Sequence, residues 1–304
     1  SPAPHIKNSL DIVSNSPPTF TLQEVSPGDI VLAIRNLSNT HSRGTDGIPI
    51  QVFKKCPSLI EPLTNLVNSS IREGSFPLEW RRSIIHPILK AGSNCKEEPT
   101  SYRPVAILNA ISKILEAIVY NQLSSHLETH GLLPQEQHGF RRGRSTTTAI
   151  ANIMDLLDSP DPTMMCAFDF SAAFDTLCSD TVLAALKAVG VAGASLNWFW
   201  SYLLPGRQAV NWNGTLSSEL PISYGVRQGS LLGPLLFILV TRNIPEAMRR
   251  AAAAATEATA TPPPLVHRPQ RTRTNTDESF IFLNTTMSLI FLILTCTLFF
   301  SILT

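Results

Sequence analysis

The composition of the chain changes abruptly after Met248, and this change limits how much of it can build a hydrophobic core. Residues 249–278 are low in complexity, with an alanine run at 251–255 and consecutive prolines at 262–264. Such a segment has too few large apolar side chains to offset the conformational entropy lost on folding. The folded unit is therefore expected to span residues 22–248, after a polar, proline-containing lead-in at 1–21 that is expected to be disordered.

The last segment, residues 279–304, has a different character because it contains no charged residue. It is long enough to cross a bilayer as a helix. Arg268, Arg271 and Arg273 precede it and favour a cytoplasmic N-terminal side. The segment is a candidate transmembrane segment, and the alternative is a chance translation at the end of a gene model.

Charge and cysteine content favour an intracellular protein whose charged surfaces are local. The formal net charge is +1, so a nucleic-acid-binding surface must be a local basic patch. The five cysteines are scattered, and no pair has C-x-x-C spacing, which argues against a zinc site or a disulfide framework. The chain shows no N-terminal signal peptide and begins with Ser1, which indicates a fragment or an incomplete gene model.

Helical periodicity, capping residues and glycine stops predict a series of helices in the folded unit. The predicted helices begin at Ser26 with Pro27 in the first turn, cover residues 61–73, follow Asn109 as far as Gly131, begin at Ser179, and run from Ser230 towards Met248.

Strand signals lie between these helices. The apolar runs 83–89 and 164–170 predict two strands, and Pro87 places the first at a sheet edge or a bulge. Residues 207–224 predict a β-hairpin that turns at the Asn-Gly pair 213–214. The mixture of helices and strands predicts an α+β fold.

Several short motifs occur along the folded unit in a characteristic order. They are Thr-Asp-Gly-Ile-Pro (45–49), Phe-Pro (76–77) with Trp80, Pro-Ile-Leu-Lys (87–90), Ser-Tyr-Arg-Pro-Val (101–105), Ser-Lys-Ile-Leu-Glu (112–116), Gln-His-Gly-Phe-Arg-Arg-Gly-Arg-Ser-Thr (137–146), Phe-Asp-Phe-Ser-Ala-Ala-Phe-Asp (168–175), Gln-Gly-Ser (228–230) and Leu-Gly-Pro-Leu-Leu-Phe (232–237). In this order they resemble the reverse transcriptases of non-LTR retrotransposons, the jockey-like and related elements.

The resemblance implies a right-hand polymerase fold. Helical fingers would occupy residues 22–160, and an incomplete βαββαβ palm would occupy residues 161–248. The thumb would be absent. The implied activity is RNA-directed DNA synthesis, with an RNA template, a DNA primer, deoxynucleoside triphosphates and Mg²⁺ as partners. The palm strand that leads to Asp169 would lack its usual neighbours and would have an unpaired edge, which favours aggregation.

Nucleotide addition requires two metal ions about 3.5–4 Å apart, held by carboxylates and substrate phosphates. Asp169 lies at the end of the second predicted strand, and the resemblance makes it a catalytic metal ligand. Without the resemblance, an aspartate at this place would be a turn or cap residue. The resemblance makes Asp175 a structural neighbour and not a ligand.

The resemblance also places five residues around the incoming nucleotide. Lys90 and Arg103 would hold the triphosphate. Phe174 would stack on the sugar and exclude a 2′-hydroxyl, although a core position explains it equally well. Gln228 and Gly229 would lie over the nucleotide, because glycine lets the backbone approach closely. Taken alone, the Lys and the Arg would be assigned to solvated surface.

Arg227 stands where the family usually has Pro, which is expected to loosen the turn before Gln228. Arg141, Arg142 and Arg144 form a local basic patch that would contact the template backbone, the alternative being a solvated loop.

His126 and His130 have the spacing of a metalloprotease helix, but the glutamate is at position 128 and not directly after the first His. A solvated helix end explains this pair better than a zinc site.

The Asp-Asp motif that completes the family's metal site has no counterpart in the chain. Residues 242–245 carry Asn243 where Asp is usual, and the only adjacent acids that follow are Asp277 and Glu278. The expected protein is therefore a fragment or degenerate reverse transcriptase without catalytic activity. One alternative is a complete polymerase of which this chain is a part, and another is a membrane-anchored RNA-binding protein that reuses the fold.

Overall fold

The computed structural model describes residues 17–92, 95–158, 163–168, 173–222, 225–227, 229–251 and 288–293. Its helices are α1 (Pro27–Asn36), α2 (Ile50–Lys55), α3 (Ile60–Glu73), α4 (Ala110–Thr129), α5 (Thr146–Leu157), α6 (Ser179–Lys187), α7 (Gly193–Leu203) and α8 (Leu232–Thr241). Its strands are β1 (Arg82–Leu89), β2 (Tyr102–Ile107), β3 (Thr163–Phe168), β4 (Gly206–Trp212), β5 (Thr215–Leu216), β6 (Leu220–Ile222) and β7 (Ser288–Ile293). The architecture is a mixed α+β fold, as the sequence predicts.

The helix boundaries follow from the capping residues. The hydroxyl of Ser26 accepts from the Asp29 amide, and the Asp29 carboxylate accepts from the Ser26 amide, so the capping box satisfies two amides at the start of α1. Gly74 (φ 61°) and Gly131 (φ 60°) adopt the left-handed conformation that ends α3 and α4. The predicted cap of α6 is displaced by one residue, because Cys178 is the N-cap and Ser179 is the first helical residue.

The larger sheet joins strands that are distant in the sequence. Its order is β2-β1-β4-β5, with β6 also paired to β4. β1 is antiparallel to β2 and parallel to β4, but β4 covers only residues 82–85. Pro87 therefore lies beyond the residues of β1 that pair with β4. Its lack of an amide hydrogen costs no hydrogen bond between these two strands. The sheet crosses the boundary that the resemblance places at residue 160.

The predicted hairpin is present at β4 and β5. Asn213 (φ 50°) and Gly214 (φ 86°) both have positive φ, as a tight two-residue turn requires. The hydrophobic segment after Ser230 forms α8, and residues 244–251 continue as a further helical segment.

Among the described residues, the hydrophobic core draws on seven helices, α1, α2, α3, α4, α6, α7 and α8. Phe76 packs edge-to-face against Trp198 and Tyr202, with ring centroids 5.5 and 5.1 Å apart. Phe20 is also buried in the core, and its amide donates to the Gly190 carbonyl, so the folded part includes residues before 22.

A second, two-stranded sheet pairs β3 with β7 in parallel, with Phe168 opposite Ile293. The edge of β3 that was expected to be unpaired is thus occupied on one side by residues of the hydrophobic C-terminal segment. The stretch Ser288–Ile293 is a strand and not part of the expected transmembrane helix. Across the part of the chain that the structure describes, none of the helices combines the length and the apolar character needed to span a membrane.

Candidate nucleotide and nucleic-acid site

Lys90 and Arg103 lie at the same end of the β1–β2 pair. Ile88 is opposite Arg103, and the Lys90 amide donates to the Ser101 carbonyl at 2.9 Å. Because residues two apart share a face, Lys90 and Arg103 point to the same side of the sheet. The exposed Lys90 ammonium donates to the Thr100 carbonyl at 2.8 Å, which holds the side chain at the strand end. Two cations on one face can together bind a phosphate chain.

Gly229 brings a second backbone segment against β2. Its φ is 116°, and a Cβ at this position would overlap the carbonyl oxygen of Ala106. Only glycine fits this conformation and this approach. Gly229 therefore lies three residues along β2 from Arg103, whereas Gln228 lies outside the described residues.

Phe174 connects the loop before Gly229 to the helices. The Phe174 carbonyl accepts from the Val226 amide at 2.9 Å. Its partly buried ring packs against Phe140 and Phe237, with centroids 6.3 and 5.6 Å apart. The structure thus brings together three of the predicted motifs, those containing Phe140, Phe174 and Phe237.

Asp169 lies outside the described residues, directly after β3. Among the described residues, which do not include Asp169, no three or more His, Cys, Asp or Glu side chains form a cluster suited to a metal ion. Asp175, the described carboxylate of this motif, has its pKa raised by burial. The described residues therefore do not by themselves fit a two-metal site.

The three arginines of the predicted basic patch differ in their surroundings. Arg141 is nearly buried, with 6% of its side chain exposed, and it forms a bidentate pair with Glu128 of α4. This pair lowers the pKa of the Glu128 carboxyl. Arg144 donates to the carbonyl and side chain of Gln135. Arg142 is exposed and makes no ion pair or side-chain hydrogen bond with any residue that the structure describes.

His138 links the same loop to α5, which sequence reasoning did not predict. Its Nδ1 lies 2.8 Å from the Thr148 hydroxyl, and its Nε2 accepts from the Asn152 amide at 3.1 Å. Burial and the nearby Arg144 and Arg141 lower the pKa of His138, which favours the neutral ring. The sequence contained a signal for the start of α5, since Ser145 and Thr148 form a capping box there.

Arg227 does not loosen the turn as expected. Its guanidinium donates to the carbonyls of Trp80 and Tyr202 at 3.4 and 3.3 Å. It also lies over the rings of Phe76 and Tyr202, 5.8 and 5.3 Å from their centroids. These contacts attach the turn to the aromatic core.

His126 and His130 form no metal site with Glu128, whose carboxylate is paired with Arg141. His126 is buried and not solvated as expected, because its Nε2 lies 2.9 Å from the Val189 carbonyl.

Comparison with known proteins identifies the motif-bearing part of the chain. Residues 88–261 match the family described as reverse transcriptase (RNA-dependent DNA polymerase). A probable RNA-directed DNA polymerase from transposon X-element of Drosophila melanogaster is 31% identical over 225 residues, covering 72% of this chain and 25% of that protein. A similar protein from transposon BS of the same species is 31% identical over 232 residues, covering 75% and 25%.

The RNA-directed DNA polymerase from mobile element jockey of Drosophila funebris is 30% identical over 188 residues, or 60% of this chain and 20% of that protein. The chain spans about a quarter of the length of the first two of these relatives. The segment that matches the family contains all of the candidate site residues, from Lys90 to Gly229.

Proposed function

The chain belongs to the reverse transcriptase (RNA-dependent DNA polymerase) family, in common with polymerases of non-LTR retrotransposons, and we propose that its folded unit is the nucleotide- and template-binding part of such an enzyme. The observation that carries the proposal is the arrangement on β2. Lys90 and Arg103 share one face at a strand end, and the Gly229 backbone lies against the same strand.

In this proposal the substrate is a deoxynucleoside triphosphate. Lys90 and Arg103 bind its phosphates, Gln228 and Gly229 lie over the sugar and base, and Phe174 limits the space at the 2′ position. The Phe174 ring supports that role because its packing between Phe140 and Phe237 leaves it little freedom to move.

The RNA template would run past the loop at 137–144. Arg142 would contact a template phosphate, because its side chain is exposed and free of ion pairs within the described structure. Arg141 and Arg144 would hold the loop in place through Glu128 and Gln135. A buried guanidinium that already has a carboxylate partner is poorly placed to bind phosphate as well.

We further propose that this chain binds its substrates without extending a primer. Mg²⁺ would use Asp169 as one ligand and would supply charge neutralisation at the phosphates. After Asp180, however, the next aspartate in the chain is Asp277. The second metal then lacks protein carboxylates, and no catalytic step is assigned to this chain. Membrane anchoring forms no part of the proposal, because Ser288–Ile293 pair with β3 as a strand.

Two measurements test the proposal. Binding of a fluorescent deoxynucleoside triphosphate should weaken about tenfold or more in the Lys90→Ala and Arg103→Ala variants, since each removes one charge-assisted contact. Lys96→Ala is the matched control, because Lys96 is exposed on the connection between the same two strands. Equal affinities for all four proteins would contradict the phosphate site.

Primer extension on an RNA template with Mg²⁺ tests the second part. Neither the chain nor its Asp169→Ala variant is expected to add nucleotides. Extension by the unaltered chain that disappears on Asp169→Ala would show that the metal site is complete.

A further inference from the structure

Glu116 is a fully buried carboxylate that the substrate contacts proposed above do not use. It lies on α4, on the side that packs against α8, and none of its surface is exposed. Its Oε2 accepts a hydrogen bond from the Leu231 amide at 2.8 Å. Leu231 is the N-cap of α8 and follows Ser230 directly, so Glu116 is bonded to the C-terminal end of the loop that contains Gly229 and Ser230.

The start of α8 partly offsets the cost of burying a negative charge at Glu116. The amides at the start of a helix have no partner within the helix, and the helix dipole places partial positive charge there. Burial raises the pKa of the Glu116 carboxyl, while Arg227, the Leu231 and Leu232 amides and Lys113 act in the opposite direction. Glu116 is therefore a costly residue to bury, and α8 supplies part of the compensation.

Arg227 holds the other end of the same loop. Its guanidinium contacts the Trp80 and Tyr202 carbonyls and two aromatic rings, as described above. No ion pair joins Arg227 to Glu116, although the charge of Arg227 acts against the rise in the Glu116 pKa. Arg227 directly precedes Gln228 in the sequence, and Glu116 is bonded to the Leu231 amide directly after Ser230.

Gly229 shows why the ends of this loop need to be held. Its backbone lies so close to the Ala106 carbonyl that a displacement of the loop would either clash with β2 or break this contact. Residue 231 is 115 positions from Glu116 in the sequence, so the contact is a tertiary one and not a local turn.

We propose that Glu116 and Arg227 are positioning residues that clamp the loop containing Gly229 and Ser230 against β2 and thereby set the geometry of the nucleotide site. The clamp itself is a property of the fold. Its effect on nucleotide binding rests on the function proposed above. Glu116 and Arg227 are not expected to contact the nucleotide.

Hydrogen exchange followed by mass spectrometry on the full chain tests the clamp without any ligand. Glu116→Ala should raise exchange at residues 229–233 about tenfold, since loss of one buried hydrogen bond frees these amides. Glu116→Gln should stay close to the unaltered chain, because its side-chain oxygen still accepts from Leu231. Arg227→Ala should raise exchange in the same peptides, and Glu61→Ala, an exposed position on α3, should not.

Nucleotide titration then tests the consequence. The dissociation constant of a fluorescent deoxynucleoside triphosphate should rise about tenfold in Glu116→Ala and return to the original value in Glu116→Gln, in proportion to the exchange effect. If Glu116 acted only on overall stability, the increase in hydrogen exchange would not be confined to residues 229–233. Nucleotide affinity would then not be expected to follow that local increase and to recover in Glu116→Gln.

Three results would overturn the proposal: unchanged exchange at 229–233 in Glu116→Ala, a uniform increase that includes α1 and α3, or unchanged nucleotide affinity in a variant whose loop exchanges faster. If the unaltered chain binds no nucleotide but the exchange pattern is as expected, the clamp stands and the proposed function fails. The two proposals are thus separable.

Discussion

Helices α4 and α5 meet opposite environments, although both are rich in apolar residues. In α4, residues such as Ile114, Leu115 and Leu123 have no exposed surface. In α5 no residue is buried, and Ile150 and Met154 are 58% and 52% exposed. The comparison shows that an apolar stripe alone does not place a helix in the core, because another element must be available to cover it.

The two helices also support the candidate site differently. α4 holds the loop that contains Gly229 and Ser230 through Glu116, which is fully buried. α5 holds the arginine-containing loop through His138, whose contacts with Thr148 and Asn152 are exposed to water. The proposed nucleotide side is therefore expected to be rigid, and the proposed template side is expected to respond to solvent conditions.

The largest difference should appear when a core residue of α4 is truncated. Leu123→Ala removes a fully buried side chain and should lower the free energy of unfolding by about 2–5 kcal/mol, because it leaves a cavity in a packed core. Chemical denaturation measures this change. A loss below about 1 kcal/mol would mean that α4 is not the packing centre of the fold.

A smaller effect is expected at the junction between the two regions. Arg141→Ala should lower the free energy of unfolding by about 1–3 kcal/mol, because it removes a nearly buried guanidinium and its charged hydrogen bonds to Glu128. The loss stays below that of a fully buried pair, because the Glu128 carboxylate is partly exposed to water. Arg142→Ala is the control, since its exposed side chain should change stability by less than about 0.5 kcal/mol.

The variants Arg141→Ala and Arg142→Ala also separate an effect on stability from an effect on RNA binding. Arg142→Ala should weaken binding to single-stranded RNA and reduce the salt dependence of log K by about one phosphate contact. A larger loss of stability in Arg142→Ala than in Arg141→Ala would reverse the roles assigned to the two arginines.

The pH dependence of stability should report on Glu116. Its pKa is raised in the folded state, so the folded protein holds this proton to higher pH than the unfolded chain does. The carboxyl therefore lowers stability progressively as the pH rises from the unfolded pKa towards the folded one. Glu116→Gln lacks this titration, and its stability relative to the unaltered chain should improve as the pH rises above the unfolded value of 4.5. Denaturation midpoints of the two proteins at several pH values give the difference, and a constant difference would contradict a raised pKa.

The smallest effect is expected on the exposed face of α5. Ile150→Ala should change the free energy of unfolding by less than about 0.5 kcal/mol, since the side chain is already largely in water. A loss comparable to that of Leu123→Ala in the same denaturation experiment would show that α5 is covered in solution.

Sequence reasoning was most successful where the controlling residues are close together in the chain. Ser26 with Pro27, Gly74, and the turn at 213–214 each determine a helix end or a hairpin within a few positions. It was less successful at α5, where the capping box of Ser145 and Thr148 was overlooked beside the arginines.

The candidate site was predicted by its motifs but not by its contacts. The ordered motifs identified the family, and the comparisons confirm it. The motifs could not show that Arg141 is paired while Arg142 is exposed, because both are arginines of the same loop. Only the folded structure shows that Arg141 faces Glu128 of α4. Glu116 was similarly hidden, although an acidic residue on the apolar face of a helix was a visible signal.

The amino-acid sequence by itself determined the family, the principal helix ends and the hairpin turn, since these depend on residue types and on interactions between near neighbours. The tertiary structure alone decided that β4 pairs with β1, that residues 288–293 pair with β3, and that Arg227 and Glu116 hold one loop from its two ends. The reason is physical. Burial and pairing between segments a hundred or more residues apart depend on which surfaces meet when the chain folds, and no local pattern encodes that choice.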